Sequence, residues 1–165
     1  MKWLKRMLWT LVLLAAAAIG AGQAGLFKGT APTDLGVREG KLKAPSTRAN
    51  SVSSQAALWP GHPQAQAALI APLALQDSDG PATMAALLQV LRSAPGAVVM
   101  KADPDYIYAQ FTTALMKYSD DVEFWLDPVA GVVQVRSASR VGESDLGANR
   151  QRIEAIRAHL AKRPG

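Results

Sequence analysis

The residues that could do chemistry crowd into the last third of the chain. The stretch RVGESDLGANRQRIEAIR, residues 140–157, sets Arg150 and Arg152 near the start of a helical pattern. That end of a helix already carries partial positive charge, and a cation there costs roughly 0.3–1 kcal/mol. Something negative is expected beside it. Just upstream, Arg136 and Arg140 fall on one face of a strand pattern, and the intervening loop supplies two glycines, Ser144 and Asp145. Free helix N–H groups and guanidinium forks converge readily on an oxyanion. Arg136, Arg140, Ser144, Asp145, Asn149 and Arg150 therefore form a candidate site for a phosphate or carboxylate. The competing reading is internal: Asp120, Asp121, Glu123 and Asp145 answer the arginines, and the near balance of acids and bases favours it.

Other chemistries fit less well. Gly142-Glu143-Ser144-Asp145-Leu146 begins like a nucleophile elbow, but Leu146 stands where a glycine is needed. Only His62 and His159 could act as a base, one in a Trp-Pro-Gly-His-Pro turn and the other away from the apolar stripe of the last helix. Ser144 reads better as a helix cap together with Asp145. With no cysteine and two distant histidines, ordinary zinc, thiol catalysis, disulfides and iron–sulfur ligation are excluded. Asp120, Asp121 and Glu123 lack calcium-loop spacing, so no metal and no cofactor is expected. An enzyme of unknown class, using the acids of 120–123 with Arg136, Arg140 and Arg150, stays as an alternative.

Charge narrows the partners. Lys2, Lys5 and Arg6 supply three of the net +5. The remainder is polarised: eight acids against three bases over residues 77–127, then seven bases against three acids over residues 136–163. Two such halves pair with each other more naturally than with DNA. No basic run interleaved with aromatics exists, so nucleic acid is not expected as a partner.

The elements that must position these residues follow from pattern. Residues 7–27 contain only Thr10 and Gln23 as clearly polar side chains, behind a basic start. That length suits a bilayer span, and the flanking cations predict that the N-terminus stays in the cytoplasm. The expected location is thus the cytoplasmic (inner) membrane, in a single pass with the C-terminal domain outside. The alternative is a signal peptide cut after Ala24, with release to the periplasm or outside. Residues 28–75, rich in Gly, Pro, Ser, Ala and Gln, read as an extended arm packing on the domain, with a short edge strand at 68–73. Residues 76–163 read as the core domain. Pro81 behind Asp79 opens a helix to Ser93 that carries Met84, Leu87, Leu88 and Leu91. Strands follow at 97–101, 106–117, 121–127 and 132–139, the last two a hairpin that sets Glu123 opposite Arg136 and Trp125 opposite Gln134. Ile153, Ile156 and Leu160 make the stripe of a final helix ending near Lys162-Arg163-Pro164. The fold class is α+β: one domain, an antiparallel sheet of about four strands, and helices packed on it.

Three blocks of the exported chain are similar to the DUF1499 family, a bacterial and plastid group without an assigned activity: Thr33-Asp34-Leu35-Gly36-Val37 with Gly40 and Leu42; NSVSSQ at 50–55; and DDVEFWLDPVAGVVQVRSASRVGESDLGANRQRIEAIR at 120–157. The resemblance implies an anchored or exported domain and carries over no catalytic residue. Family members typically place cysteines where this chain has Pro45 and Ser51, and prolines where it has Ala44, Ser46 and Ala49. A thiol role at those positions cannot operate here. The functional expectation is a binding or interaction module on the periplasmic or lumenal side of a membrane, for a protein partner or a small anionic ligand. A structural envelope protein that contacts its neighbours through the arm is the further alternative.

Overall fold

The computed structural model describes residues 2–162. The helix end expected near Lys162-Arg163-Pro164 lies partly outside those residues. Helix α1, Lys2–Gln23, is apolar on nearly every side and is long and apolar enough to cross a membrane. Its last turns are the part that meets the domain, where Gly22 is buried.

The order of the remaining elements is β1 Ser51–Ser53, β2 Leu73–Ala74, α2 Gly80–Ser93, β3 Ala97–Ala102, β4 Tyr106–Thr112, β5 Ser119–Asp127, β6 Val132–Ser139 and α3 Ala148–Ala161. The fold is α+β, with one antiparallel sheet of six strands. The order runs β1-β6-β5-β4-β3, and β2 also pairs with β6. The four strands of the core pattern are all present, and the arm supplies the other two. β1 lies along β6 from Ser51↔Ala138 to Ser53↔Arg136, and Leu73 pairs with Val133. Short pairings of this kind leave little periodicity in a sequence, so most of 28–75 reads as irregular although it closes the β6 edge, and the edge strand expected at 68–73 forms only at Leu73–Ala74.

Alternation along the strands sends side chains to two sides. One side is apolar. Ile107, Ala109, Phe111, Val122, Phe124, Val133 and Val135 pack against Met84, Leu87 and Leu91 of α2 and Ile153, Ile156 and Leu160 of α3. Strand β4 stops at Thr112, sooner than the alternation suggests. Gly96, in a left-handed turn (φ 75°), lets the chain pass against Thr112, whose N–H donates to the Gly96 carbonyl at 2.8 Å. Thr113 and Leu115, expected on the inner face, are therefore exposed beyond the strand end. Helix α2 starts as read, with Asp79 accepting from the Ala82 N–H at 2.8 Å and proline in its first turn.

Candidate functional site

The other side of the sheet is polar, and it too is buried. Glu123 and Asp121 on β5, Arg136 on β6 and Tyr106 on β4 are all withdrawn from solvent beneath the arm, and Glu123 is 0% exposed. Unpaired charges in such a place would cost several kcal/mol each, so each must find partners. Glu123 stands opposite Arg136 in the hairpin register, as the sequence predicts, and its carboxylate accepts from Arg136 Nη1 at 3.4 Å. It also accepts from the Gly36 N–H and the Tyr106 hydroxyl, both at 2.8 Å. Arg136 donates through Nε to the Ala44 carbonyl at 3.1 Å. The pair thus fastens the arm at two points.

Just past the end of β6, Arg140 grips Asp121 with two parallel bonds of 2.9 and 2.7 Å and reaches Gln110 at 2.8 Å. Tyr108 donates to Asp121 at 2.6 Å. The bond to Asp121 raises Arg140 above its ordinary value, although burial pulls the other way. Burial, with the hydrogen bond to Asp121 behind it, pushes the Tyr108 phenol up to about 12. Burial and Glu123 push Tyr106 up as well. Both phenols are therefore held as donors at neutral pH. Burial pulls Arg136 down, against the attraction of Glu123 and Asp121.

Asp120 points to the opposite side. It pairs with Arg152, whose guanidinium also bonds Ser137 and Asn149 and lies 4.8 Å from the centre of the Phe111 ring. Asn149 is fully buried and spends its side chain on Asn50, Ser137, Ser139, Asp145 and Arg152. Asp145 is the cap of α3, accepting from the N–H groups of Gly147 at 3.0 Å and Asn149 at 2.8 Å. Burial opposes its ionisation, but those donors outweigh it and lower its pKa below the usual carboxylate range. Ser144 accepts only from the Leu146 N–H, at 3.2 Å. Arg150 bonds the arm carbonyls of Ala67 at 3.0 Å and Leu69 at 2.9 Å.

The six residues singled out from the sequence thus do not form one site. Arg136 and Arg140 line a cleft of about 270 Å³ between arm and sheet, together with Thr30, Lys43, Ser46 and Asp121. Asp145 and Arg150 share a separate pocket of about 140 Å³ with Ser51 and Gln64 at the start of α3. Ser144 and Asp145 border a third cavity, and Asn149 is spent inside the fold. Among the described residues, no three carboxylates or histidines converge as a cation site. Sequence reasoning missed Lys43, Tyr106, Tyr108 and Gln55. Tyr106 and Tyr108 alternate with Ile107 and Ala109, which was the one available signal that β4 has a polar inner face. Gln55 closes the NSVSSQ block, which was its one signal: its side chain accepts from the Leu42 N–H and donates to the Gly40 carbonyl across the arm, at 2.8 and 2.9 Å.

Pro45 and Ser51, the two positions where the resemblance expects cysteines, flank one contact. The Ser51 hydroxyl accepts from the Ser46 N–H at 2.8 Å. A hydrogen bond ties this part of the arm where a thiol pair is absent. No curated protein and no solved structure proved similar to the chain. A family described as "Protein of unknown function (DUF1499)" does match, over residues 41–160, a span that covers β1 to α3 together with the clasp at 50–55. The chain belongs to the DUF1499 family.

Proposed function

We propose that this protein is a non-catalytic binding module, anchored in a membrane by α1 with its domain outside the cytoplasm, and that it takes a small anionic ligand in the cleft between arm and sheet. The observation that carries the reading is that three cationic side chains, Lys43, Arg136 and Arg140, line that one cleft, each already held by an acid. Two of their nitrogens have donors to spare. Among the described residues, neither Arg136 Nη2 nor Arg140 Nη1 donates a hydrogen bond. A phosphate or carboxylate would meet guanidinium groups already fixed by Glu123 and Asp121, so little side-chain entropy remains to be lost on binding. The same pairing argues against catalysis. Asp120, Asp121 and Glu123 each face an arginine, which leaves none of them as a free general acid or base.

The test is thermal melting of the full chain in detergent with phosphate, sulfate and a set of dicarboxylates. A bound anion at about 100 times its dissociation constant should stabilise the fold by roughly 2.7 kcal/mol. Lys43→Ala, at a cleft residue whose partner Asp34 is on the surface, should abolish the shift. Arg150→Ala should keep it, because Arg150 is bound to arm carbonyls away from the cleft. A panel without any shift, or a shift lost with Arg150→Ala and kept with Lys43→Ala, overturns the assignment.

A further inference from the structure

Helix α1 does not leave the domain on a loose tether. Its Gln23 amide donates to the Leu115 carbonyl at 2.9 Å. Gly22 lies so close to the Met116 carbonyl that an added Cβ would sit 2.6 Å from that oxygen. Phe27 then stacks on Tyr118 with ring centres 5.2 Å apart. The helix end is thus built onto the loop of residues 113–118.

Spacing sets the depth of that loop. Gly22 comes sixteen residues after Arg6, the last cation of the N-terminal flank. At about 1.5 Å per residue this is roughly 24 Å of helix, while the hydrocarbon layer is about 30 Å thick. A helix that starts its crossing at Met7 meets the loop before it has cleared the far side.

The same end of the domain carries side chains the fold does not use. Leu115 is 58% exposed and Leu146 is 90% exposed. Leu146 also holds a left-handed backbone (φ 53°), which non-glycine residues rarely adopt. Tyr118 and Leu146 border one cavity of about 340 Å³, so the loops 113–118 and 140–147 are neighbours. Lys28 and Lys117 flank the Phe27–Tyr118 stack in sequence, and neither has an ion-pair partner among the described residues. Glu143, an exposed acid in this region, pairs with Arg48 at 3.1 Å. Apolar tips, an amphipathic aromatic pair and free lysines are the composition of a membrane–water boundary.

We infer that the loops 113–118 and 140–147 form a second membrane contact, in which Leu115 and Leu146 enter the lipid headgroup boundary of the bilayer that α1 crosses and Lys28 and Lys117 face the lipid phosphates. This rests on the anchor reading. Its consequence is a fixed orientation: the α3 start and the loop ends of the sheet face the bilayer, and the β5–β6 turn points away from it.

The absence of cysteine makes the test direct. Single-cysteine full-length variants Val12→Cys, Leu115→Cys, Leu146→Cys and Val129→Cys each take a polarity-sensitive fluorophore. They are reconstituted into vesicles of phosphatidylcholine and phosphatidylglycerol, with spin-labelled lipids as quenchers. Val129 is 95% exposed, in the turn at the far end of β5, and reports water. The expected result is blue-shifted, lipid-quenched emission at Leu115 and Leu146, with Val129 unshifted and quenched only by aqueous iodide. If Leu115 and Leu146 behave like Val129 while Val12 is lipid-quenched, the anchor stands and the second contact is refuted. If Val12 is also aqueous, the anchor reading itself fails and takes this inference with it.

Discussion

Glu123 and Arg136 show how much one pairing can carry. They sit opposite each other, under the arm, and each also holds an arm backbone group. Arg136→Met, with Glu123 kept, should destabilise the fold by about 3–5 kcal/mol, because it strands a buried carboxylate. The double variant with Glu123→Leu should recover much of that loss. Denaturant unfolding of both variants in detergent would check it, and a double variant no more stable than the single would mean the carboxylate's bonds to Gly36 and Tyr106 matter more than the ion pair. This pairing was legible from the hairpin register alone. The partition of the acids was legible in part: alternation puts Asp121 and Glu123 on one face, whereas Asp120 precedes the strand as read from 121 and, in the longer β5, turns to Arg152. Which arginine meets which acid depends on α3 crossing the apolar side of the sheet, a tertiary fact that local pattern does not carry.

Helix α3 owes its start to Asp145 rather than to Ser144. The N-cap position itself is Gly147, in a left-handed conformation without a side chain to offer, so the aspartate two residues earlier accepts the orphan N–H groups. Its folded pKa is depressed, so its stabilisation is fully present above the unfolded value of about 3.9 and is lost as pH falls through the folded value. Asp145→Asn, which keeps an acceptor and removes the charge, should cost about 0.3–1 kcal/mol at pH 7. The gap between wild type and variant should close on acidification below about pH 4, where the wild-type carboxyl protonates. Melting curves over a pH series would show it, and a gap that held constant into acid would rule out the carboxylate charge as its source. At this scale the sequence was most readable for long periodic elements. α2, α3 and the β5–β6 hairpin all lie where the pattern puts them. Strand β1 escaped, since three residues hold no period, and β2 meets the edge strand read at 68–73 only at Leu73.

At the scale of the molecule, the charge asymmetry around α1 is the ground for the proposed topology. Lys2, Lys5 and Arg6 precede the apolar helix, and basic flanks of this kind stay on the cytoplasmic side. A cysteine at Val129 should therefore react with a membrane-impermeant maleimide in cells whose outer barrier is opened, and a cysteine at Trp3, which leaves the flanking cations in place, should react only after lysis. The reverse pattern would place the domain in the cytoplasm and remove the periplasmic or lumenal setting from the proposed function. The apolar N-terminal helix was the easiest element to read from this chain, because hydropathy needs no tertiary structure. The cleft was the hardest, because Lys43 reaches it from an arm that has almost no pattern.

The sheet's two coverings have unequal consequences when they lift. Separating α2 or α3 from it would wet Phe124, Val133 and Val135 and invite self-association. Peeling back the arm around Gly36 and Ala44 would instead uncover carboxylates, phenols and guanidinium groups, all of which water hydrates well. The arm side is thus the safer hinge: a local opening there leaves the apolar core closed, and amide hydrogens of this segment can exchange with solvent without global unfolding.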